Sequence, residues 1–471
     1  TTNPERRQWN ININGYAEID FGKLISPLKG LTYKFNGGYA YMPKRYNNYE
    51  GKSVNNKTGY AEIKNEETQS YTIENILAYN RDFGKHHLDL TALYAASRKK
   101  YQRSQAMASK FINDDQQWHN MGSAETPSVA SYTDLYTTVS QMGRINYSYD
   151  SRYLFTFTVR RDGSSVFGDN NKYGVFPSVA LGWNIARESF MESSSNWLNT
   201  LKLRASYGKA GNEAIGVYQS RVKMDSGMLA LGGASNAGLW PNDLMGNADL
   251  TWETTKSFNV GLDFGFLNNR INGAVDYYYR KTTDLLNSVF VSAGTNFKNK
   301  VLSNVGSLEN SGIEFSINAK PVVTTDWTWD LGFNITYNKN EITKLTTGDS
   351  ENYYVAAGDN IGGGRDMKAM AHAVGHPASS FYVYQQVYDE NGKPIENEFV
   401  DRNGDGTING DDRYFYKKPT ADVLMGLTSR LSYKSWDFSF SLRASLNNYV
   451  YNSVEAGGSD CNPTSVYSFG A

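Results

Sequence analysis

Between Leu135 and Ile185 the chain alternates apolar and polar residues almost without a break, in three runs. Leu135, Val139, Ile145, Tyr147 and Tyr149 share one parity, and Thr138, Ser140, Arg144, Asn146 and Ser148 the other. A period of two is the mark of a strand with one apolar face. Only Asp150, Ser151 and Arg152 separate this run from the next, in which Tyr153, Phe155, Phe157 and Val159 oppose Thr156, Thr158 and Arg160, so the link is a tight hairpin. A longer polar connection, Arg161 to Asn171, leads to the third run, with Tyr173, Val175, Val179, Leu181, Trp183 and Ile185 on one parity. Whatever the chain folds into must cover a long series of apolar strand faces.

The pattern recurs along the chain. Leu31, Tyr33, Phe35, Gly37, Tyr39 and Tyr41 alternate with polar or small residues, as do Phe258 to Phe266, Ile271 to Tyr279, Trp327 to Tyr337, and Trp436 to Leu442. These rules predict about sixteen strands. Ser97 to Ala130 is polar without a sustained period and reads as a long loop. Apart from a short turn near Arg187 to Met191 there is no helical period, so no helix layer is available as a cover. A sandwich joins short strands by short connections at both ends. Here short turns alternate with long loops. That rhythm defines an all-β, transmembrane antiparallel β-barrel with short periplasmic turns and long extracellular loops, whose apolar face is covered by lipid. A mean hydropathy of −0.56 does not oppose this, because alternating strands average out as hydrophilic. Tyr149 with Tyr153, and Tyr433 with Trp436, flank short turns where a barrel places interfacial rings. Arg144, Asp263, Asp276, Asp330 and Arg443 then point inward to water or a plug.

The charge balance, 47 Lys and Arg against 48 Asp and Glu, lacks the basic excess of a nucleic-acid binder. The single cysteine, Cys461, cannot form an internal disulfide. His86, His87, His119, His372 and His376 lack zinc-type spacing, Gly362-Gly363-Gly364 lacks the Lys-Ser/Thr of a phosphate loop, and Asp114-Asp115 reads as solvated. No catalytic constellation emerges, and the chain is not expected to be an enzyme. Its opening, Thr1-Thr2-Asn3-Pro4, carries no initiator Met and is read as a processed product or an excised piece.

One local motif has chemistry of its own. In Asp401-Arg402-Asn403-Gly404-Asp405-Gly406-Thr407-Ile408-Asn409-Gly410-Asp411-Asp412, the residues Asp401, Asn403, Asp405, Thr407 and Asp412 fall at ligand positions of a calcium loop, with Gly406 at the sharp turn. Asp412 stands where a bidentate Glu is usual, and no helices flank the loop. The alternatives are a Ca2+ site and a metal-free Asp/Asn/Gly turn.

Longer fragments carry a resemblance. Arg144 to Tyr149, Arg160-Arg161-Asp162-Gly163-Ser164-Ser165, Gly174-Val175-Phe176-Pro177-Ser178, Leu203 to Gly208, Asn247 to Glu253, Asp276 to Thr282 and Gly306 to Glu314, in that order, resemble the barrel of SusC-like (RagA-like) TonB-dependent transporters, the outer-membrane nutrient importers of Bacteroidetes-type bacteria. The resemblance spans nearly the whole chain. It implies that residues 1–471 are the barrel portion of a wall of about 22 strands. It also implies that the N-terminal plug and TonB box lie outside this chain, as do the C-terminal strands. The expected function is TonB-dependent import of oligosaccharides or peptides, with a SusD-like surface lipoprotein as lid. Loops at Ser97–Ala130, Gly211–Thr251 and Asn338–Ser380 would hold that lid, and Trp118 and Trp240 are candidates to stack on sugars or simply to pack the fold. The rival readings are a passive porin or receptor barrel and a soluble all-β carbohydrate-binding or adhesion protein.

Overall fold

A computed structural model describes residues 2–54, 58–213, 215–231, 234–241, 245–290, 300–346, 353–360 and 368–452. Cys461 and Gly362-Gly363-Gly364 lie outside the described residues.

One antiparallel sheet dominates. Its strands are β1 (Glu5–Gln8), β2 (Ile11–Asp20), β3 (Leu31–Glu50), β4 (Tyr60–Phe83), β5 (His86–Ser109), β6 (Thr126–Tyr149), β7 (Tyr153–Ser164), β8 (Tyr173–Asn184) and β9 (Leu198–Asn212). A separate hairpin, β10 (Met224–Leu231) and β11 (Ala234–Pro241), precedes β12 (Glu253–Phe266), β13 (Ile271–Phe290), β14 (Lys300–Val323) and β15 (Trp327–Lys344). An insertion of short strands follows: β16 (Tyr354–Asn360), β17 (Lys368–Ala373), β18 (Ser380–Val383), β19 (Gln386–Tyr388), β20 (Pro394–Phe399) and β21 (Tyr414–Phe415). The wall resumes with β22 (Val423–Tyr433) and β23 (Trp436–Leu446). The main sheet has 15 strands, each wall strand pairing with the next; β1 and β2 lie end to end along β3, and the sheet is not closed.

The two faces differ as the alternation requires. Tyr147, Phe155, Leu181, Ala205, Val260, Tyr277, Ile313, Tyr337 and Val423 form one cross-strand row. The adjacent row, on the other face, is Asn146, Thr156, Ala180, Ser206, Asn259, Tyr278, Gly312 and Asn338. Leu181 is 57% exposed, and Phe157, Tyr207, Phe258 and Ile313 are exposed too. Such a continuous apolar surface is too large for water and suits hydrocarbon.

The row also reports the tilt. Tyr149 ends β6 two positions beyond Tyr147, whereas Tyr433 ends β22 ten positions beyond Val423, eight strands further on. The hairpin ends therefore slip by about one residue per strand, which at about 3.3 Å per residue and about 4.8 Å between strands is a tilt of about 35°.

Several sequence expectations need correction. Ser97–Ala130 is not a single loop: β5 runs on to Ser109 and β6 starts at Thr126. β7 likewise continues to Ser164, and β15 runs to Lys344 before β16 and β17 begin. Above the membrane neither face meets lipid, and part of one is covered by packed loop residues, so nothing imposes the alternation while the ladder continues. One short-turn-end connection is also longer than expected: between β8 and β9 lie two 3-10 turns, Ile185–Arg187 and Ser189–Ser194. There Glu188 accepts from Trp183 Nε1 at 2.9 Å and Arg152 Nη1 at 3.1 Å, pinning the connection to the β6–β7 turn.

Candidate functional site

The polar face is where a transported molecule or a plug would be met, and its charges are organised. Arg204 on β9 forms a bidentate pair with Asp263 on β12, both contacts at 2.8 Å, and Nη2 also reaches Asp276 on β13 at 3.1 Å. Gly261 makes this possible. It lies opposite Arg204 on one side and Asp276 on the other, and a Cβ there would stand 2.8 Å from Arg204 Nη2 and 2.2 Å from Asp276 Oδ1. Inward placement of Asp263 and Asp276 agrees with the alternation, but the two carboxylates are partnered and do not simply face water. Arg204, which joins them, has no local sequence signal: its partners are 59 and 72 positions away. A concave strip of the same face, lined by His87, Asn146, Thr156, Lys202, Arg204 and Asn259, offers hydrogen-bonding groups of both senses.

At the opposite end from the short turns, two small cores brace the mouth. Tyr49, Ala61, Ala108, Phe111, Trp118 and Ala124 form one, and Val166, Phe167, Phe176, Leu250 and Trp252 the other. Trp118 is only 7% exposed, so of its two readings packing holds. Trp240 pairs in register with Asp225, and its ring lies diagonally over Gly227, where a Cβ would stand 2.7 Å from it. Asp114 is not merely solvated: Tyr49 donates its hydroxyl to Asp114 Oδ1 at 2.8 Å and Lys52 its backbone N–H at 3.2 Å. Burial, then the Asp114 hydrogen bond, pushes the Tyr49 hydroxyl up to about 12, while the same bond holds Asp114 below its usual range. One carboxylate thus ties the β3–β4 and β5–β6 connections together.

The Asp401–Asp412 segment is an ordered loop of the insertion. Asp401 accepts from Gly404 N at 2.7 Å and Gly406 N at 2.8 Å; Asn403 Oδ1 accepts from Asp405 N at 3.0 Å, and Asp405 Oδ1 from Thr407 N at 2.8 Å. Gly406 has φ +77°, the left-handed turn its position demands. Asp412 is fully buried and accepts from Arg402 N and Asn409 N, each at 2.8 Å, and these backbone donors, Asn409 first, hold its carboxyl below the ordinary range. Thr407 contributes its carbonyl, which accepts from Asn409 Nδ2 at 3.4 Å. Among the described residues no three His, Cys, Asp or Glu side chains gather as a metal-holding group. In this conformation the loop's carboxylates satisfy its own backbone N–H groups.

Of the histidines, His86 pairs with the Tyr147 hydroxyl at 2.7 Å and His87 with Asp82 at 2.7 Å, both beside a short turn. His372 and His376 belong to the insertion, where burial lowers the pKa of each. His372 Nδ1 accepts from Ser379 N at 3.0 Å, and His376 stacks on Phe415 with ring centres 4.1 Å apart.

An open, tilted sheet with one lipid-type face, one polar face and long connections at one end is the wall of an outer-membrane β-barrel. A family model described as "TonB dependent receptor-like, beta-barrel" matches residues 2–453, and the chain belongs to that family. It is a receptor and transporter barrel family, not an enzyme family, and its place is the outer membrane. The chain is 57% identical over 328 residues to the TonB-dependent receptor SusC of Bacteroides thetaiotaomicron, covering 68% of this chain and 32% of SusC. It is 33% identical over 480 residues to the TonB-dependent receptor P3 of Formosa agariphila, covering 98% of this chain and 47% of that protein. Among solved structures it is similar to the RagAB peptide importer in the "open-open" state, with TM-score 0.77, 26% identity, and coverage of 95% of this chain and 48% of that one. The chain therefore spans about a third to a half of the length of the relatives it matches.

Proposed function

We propose that this chain supplies wall and outer mouth to a SusC-like importer that moves oligosaccharides or peptides across the outer membrane, powered through TonB and lidded by a SusD-like lipoprotein. The observation that carries the reading is the 57% identity to SusC, which falls on a sheet with one hydrocarbon-facing side and one polar side. The likeness to RagAB, a peptide importer, keeps peptides beside oligosaccharides as cargo. Uptake of labelled oligosaccharides and peptides by cells carrying or lacking the intact gene, with TonB present or deleted, tests it. Gene-dependent uptake that persists without TonB would favour the passive porin instead. Isolation of the full-length protein with its surface lipoprotein tests the lid.

We propose separately that the Asp401–Asp412 loop takes Ca2+ through Asp401, Asn403, Asp405, Thr407 and Asp412. The spacing supports this, as do the left-handed Gly406 and the contact of Asn403 Nδ2 with Asp405 Oδ2 at 3.0 Å, which sets two ligand-type side chains side by side. When bound, calcium would cross-link the loop; it has no part in a chemical step.

A further inference from the structure

The outward face of the wall changes character at one height. A transmembrane strand needs about 9–11 residues to cross. Counted from the short-turn ends of their strands, Arg98, Arg161, Lys209, Lys256, Lys281 and Lys339 all lie eight to twelve positions along, on the parity of the apolar face. Over the same stretch of β3–β9, β12–β15 and β22–β23, no outward position of the described residues carries Asp or Glu. Because the hairpin ends follow the tilt, these positions form a band across the wall.

Three of these cations are in direct register. Lys256 is the cross-strand partner of Lys209 on one side and of Lys281 on the other. Like charges placed directly opposite one another destabilise a sheet unless an anion lies between them. Only Lys281 has an acid, Glu309 at 2.8 Å, which lies just above the band; Lys339 is likewise held by Glu341 at 2.8 Å. Lys209 Nζ lies 5.9 Å from the Phe176 ring centre, Arg161 stacks over Tyr173 at 3.9 Å, and Arg98 Nη1 donates to the Tyr71 hydroxyl at 3.0 Å. One side-chain step toward the short turns of the lysine row lies the aromatic row Tyr207, Phe258 and Tyr279. Apolar surface, then rings, then cations is the order of a bilayer's hydrocarbon, interface and head groups.

We propose that this outward belt, centred on Lys209, Lys256 and Lys281, binds the phosphate groups of anionic lipid in the outer leaflet. The leaflet follows from the barrel reading, in which long connections are extracellular. Ammonium groups in a row suit phosphate as point charges, with the tyrosine hydroxyls beside them at the glycerol or sugar level. The cations lie far apart along the chain and come together only through strand pairing, so the sequence alone does not show the belt.

The test uses the intact transporter in detergent, mixed with phosphorylated lipid A or with the same glycolipid stripped of phosphate, and native mass spectrometry to count retained lipid. Wild type should retain the phosphorylated form selectively. A variant with Arg161→Gln, Lys209→Gln, Lys256→Gln and Lys281→Gln should bind it roughly tenfold more weakly or worse. A charge-matched variant on the polar face, Lys34→Gln, Arg144→Gln, Arg280→Gln and Arg443→Gln, should bind like wild type. Heat-modifiable electrophoretic mobility confirms that each variant is a folded barrel. If the outward set does not fold, the double variant Lys209→Gln/Lys256→Gln, which breaks no ion pair, replaces it and should still lose several-fold. Equal retention by the outward variant, or equal retention of the phosphate-free glycolipid, overturns the proposal. Failure of the barrel reading is separate: it would show as loss of heat-modifiable mobility in the wild type.

Discussion

Arg204 reaches across the bare Cα of Gly261 to Asp276, so that one guanidinium spans three strands of the wall. The arrangement needs an empty site at residue 261. Gly261→Ala should cost about 1–3 kcal/mol, because the added methyl overlaps both charged partners. Urea titration of the intact barrel in liposomes checks this, and an unchanged midpoint would mean the guanidinium has room elsewhere. Arg204→Ala should cost about 2 kcal/mol through the stranded carboxylates, and Asp263→Asn with Asp276→Asn should recover part of that loss.

The assignment of faces is tested by neighbours. Leu181 and Ala180 are adjacent, yet one meets lipid and the other the lumen. Leu181→Arg, one outward step from the interfacial Trp183, should destabilise the barrel by about 1–2 kcal/mol, and Ala180→Arg by less than half of that. Equal penalties in liposome unfolding would contradict the two-faced wall.

Acid should loosen the insertion. The pKa of His372 is lowered by burial from an ordinary 6.5, so the unfolded segment takes up the proton first. The stability supplied by the neutral ring is complete above about pH 6.5 and is lost as pH falls through that value toward the folded pKa. Protonation also removes the acceptor for Ser379 N, and burial lowers the His376 pKa too, with Glu341 opposing. Hydrogen exchange in β17 and β18 should therefore quicken as pH falls below about 6.5. A profile that stays flat after correction for intrinsic exchange would refute the assignment.

For the Asp401–Asp412 loop, titration calorimetry of the intact transporter should show a calcium heat that Asp401→Ala abolishes, with magnesium giving little, since seven-coordinate oxygen loops suit the larger ion. A calcium heat that survives Asp401→Ala would move the site elsewhere.

The membrane-crossing part of the wall was readable because lipid on one side and water on the other force a period of two; Tyr153 to Val159 could not be anything but a two-faced strand. The extracellular halves of β5 and β6 were not readable, since Lys99, Gln102 and Arg103 meet water on either face and nothing obliges them to alternate. The short strands β16 to β21 give too few residues for a period. Trp118 looked available for stacking because its neighbours are polar, and only the ladder between β4 and β5 shows that Ala61 and Ala108 leave a hollow for it. The candidate loop at Asp401–Asp412 was visible as spacing, whereas the Arg204 triad depends on three strands found only in space.

β4, β5 and β6 each run for 24 residues, some 13 more than a bilayer requires, or roughly 40 Å of laddered sheet standing above it. A rim made of hydrogen-bonded strands has already given up its conformational freedom. A lid closing on it would have little ordering to do at each closure, and could open and shut over many cycles with most of its binding free energy left for shape and charge matching.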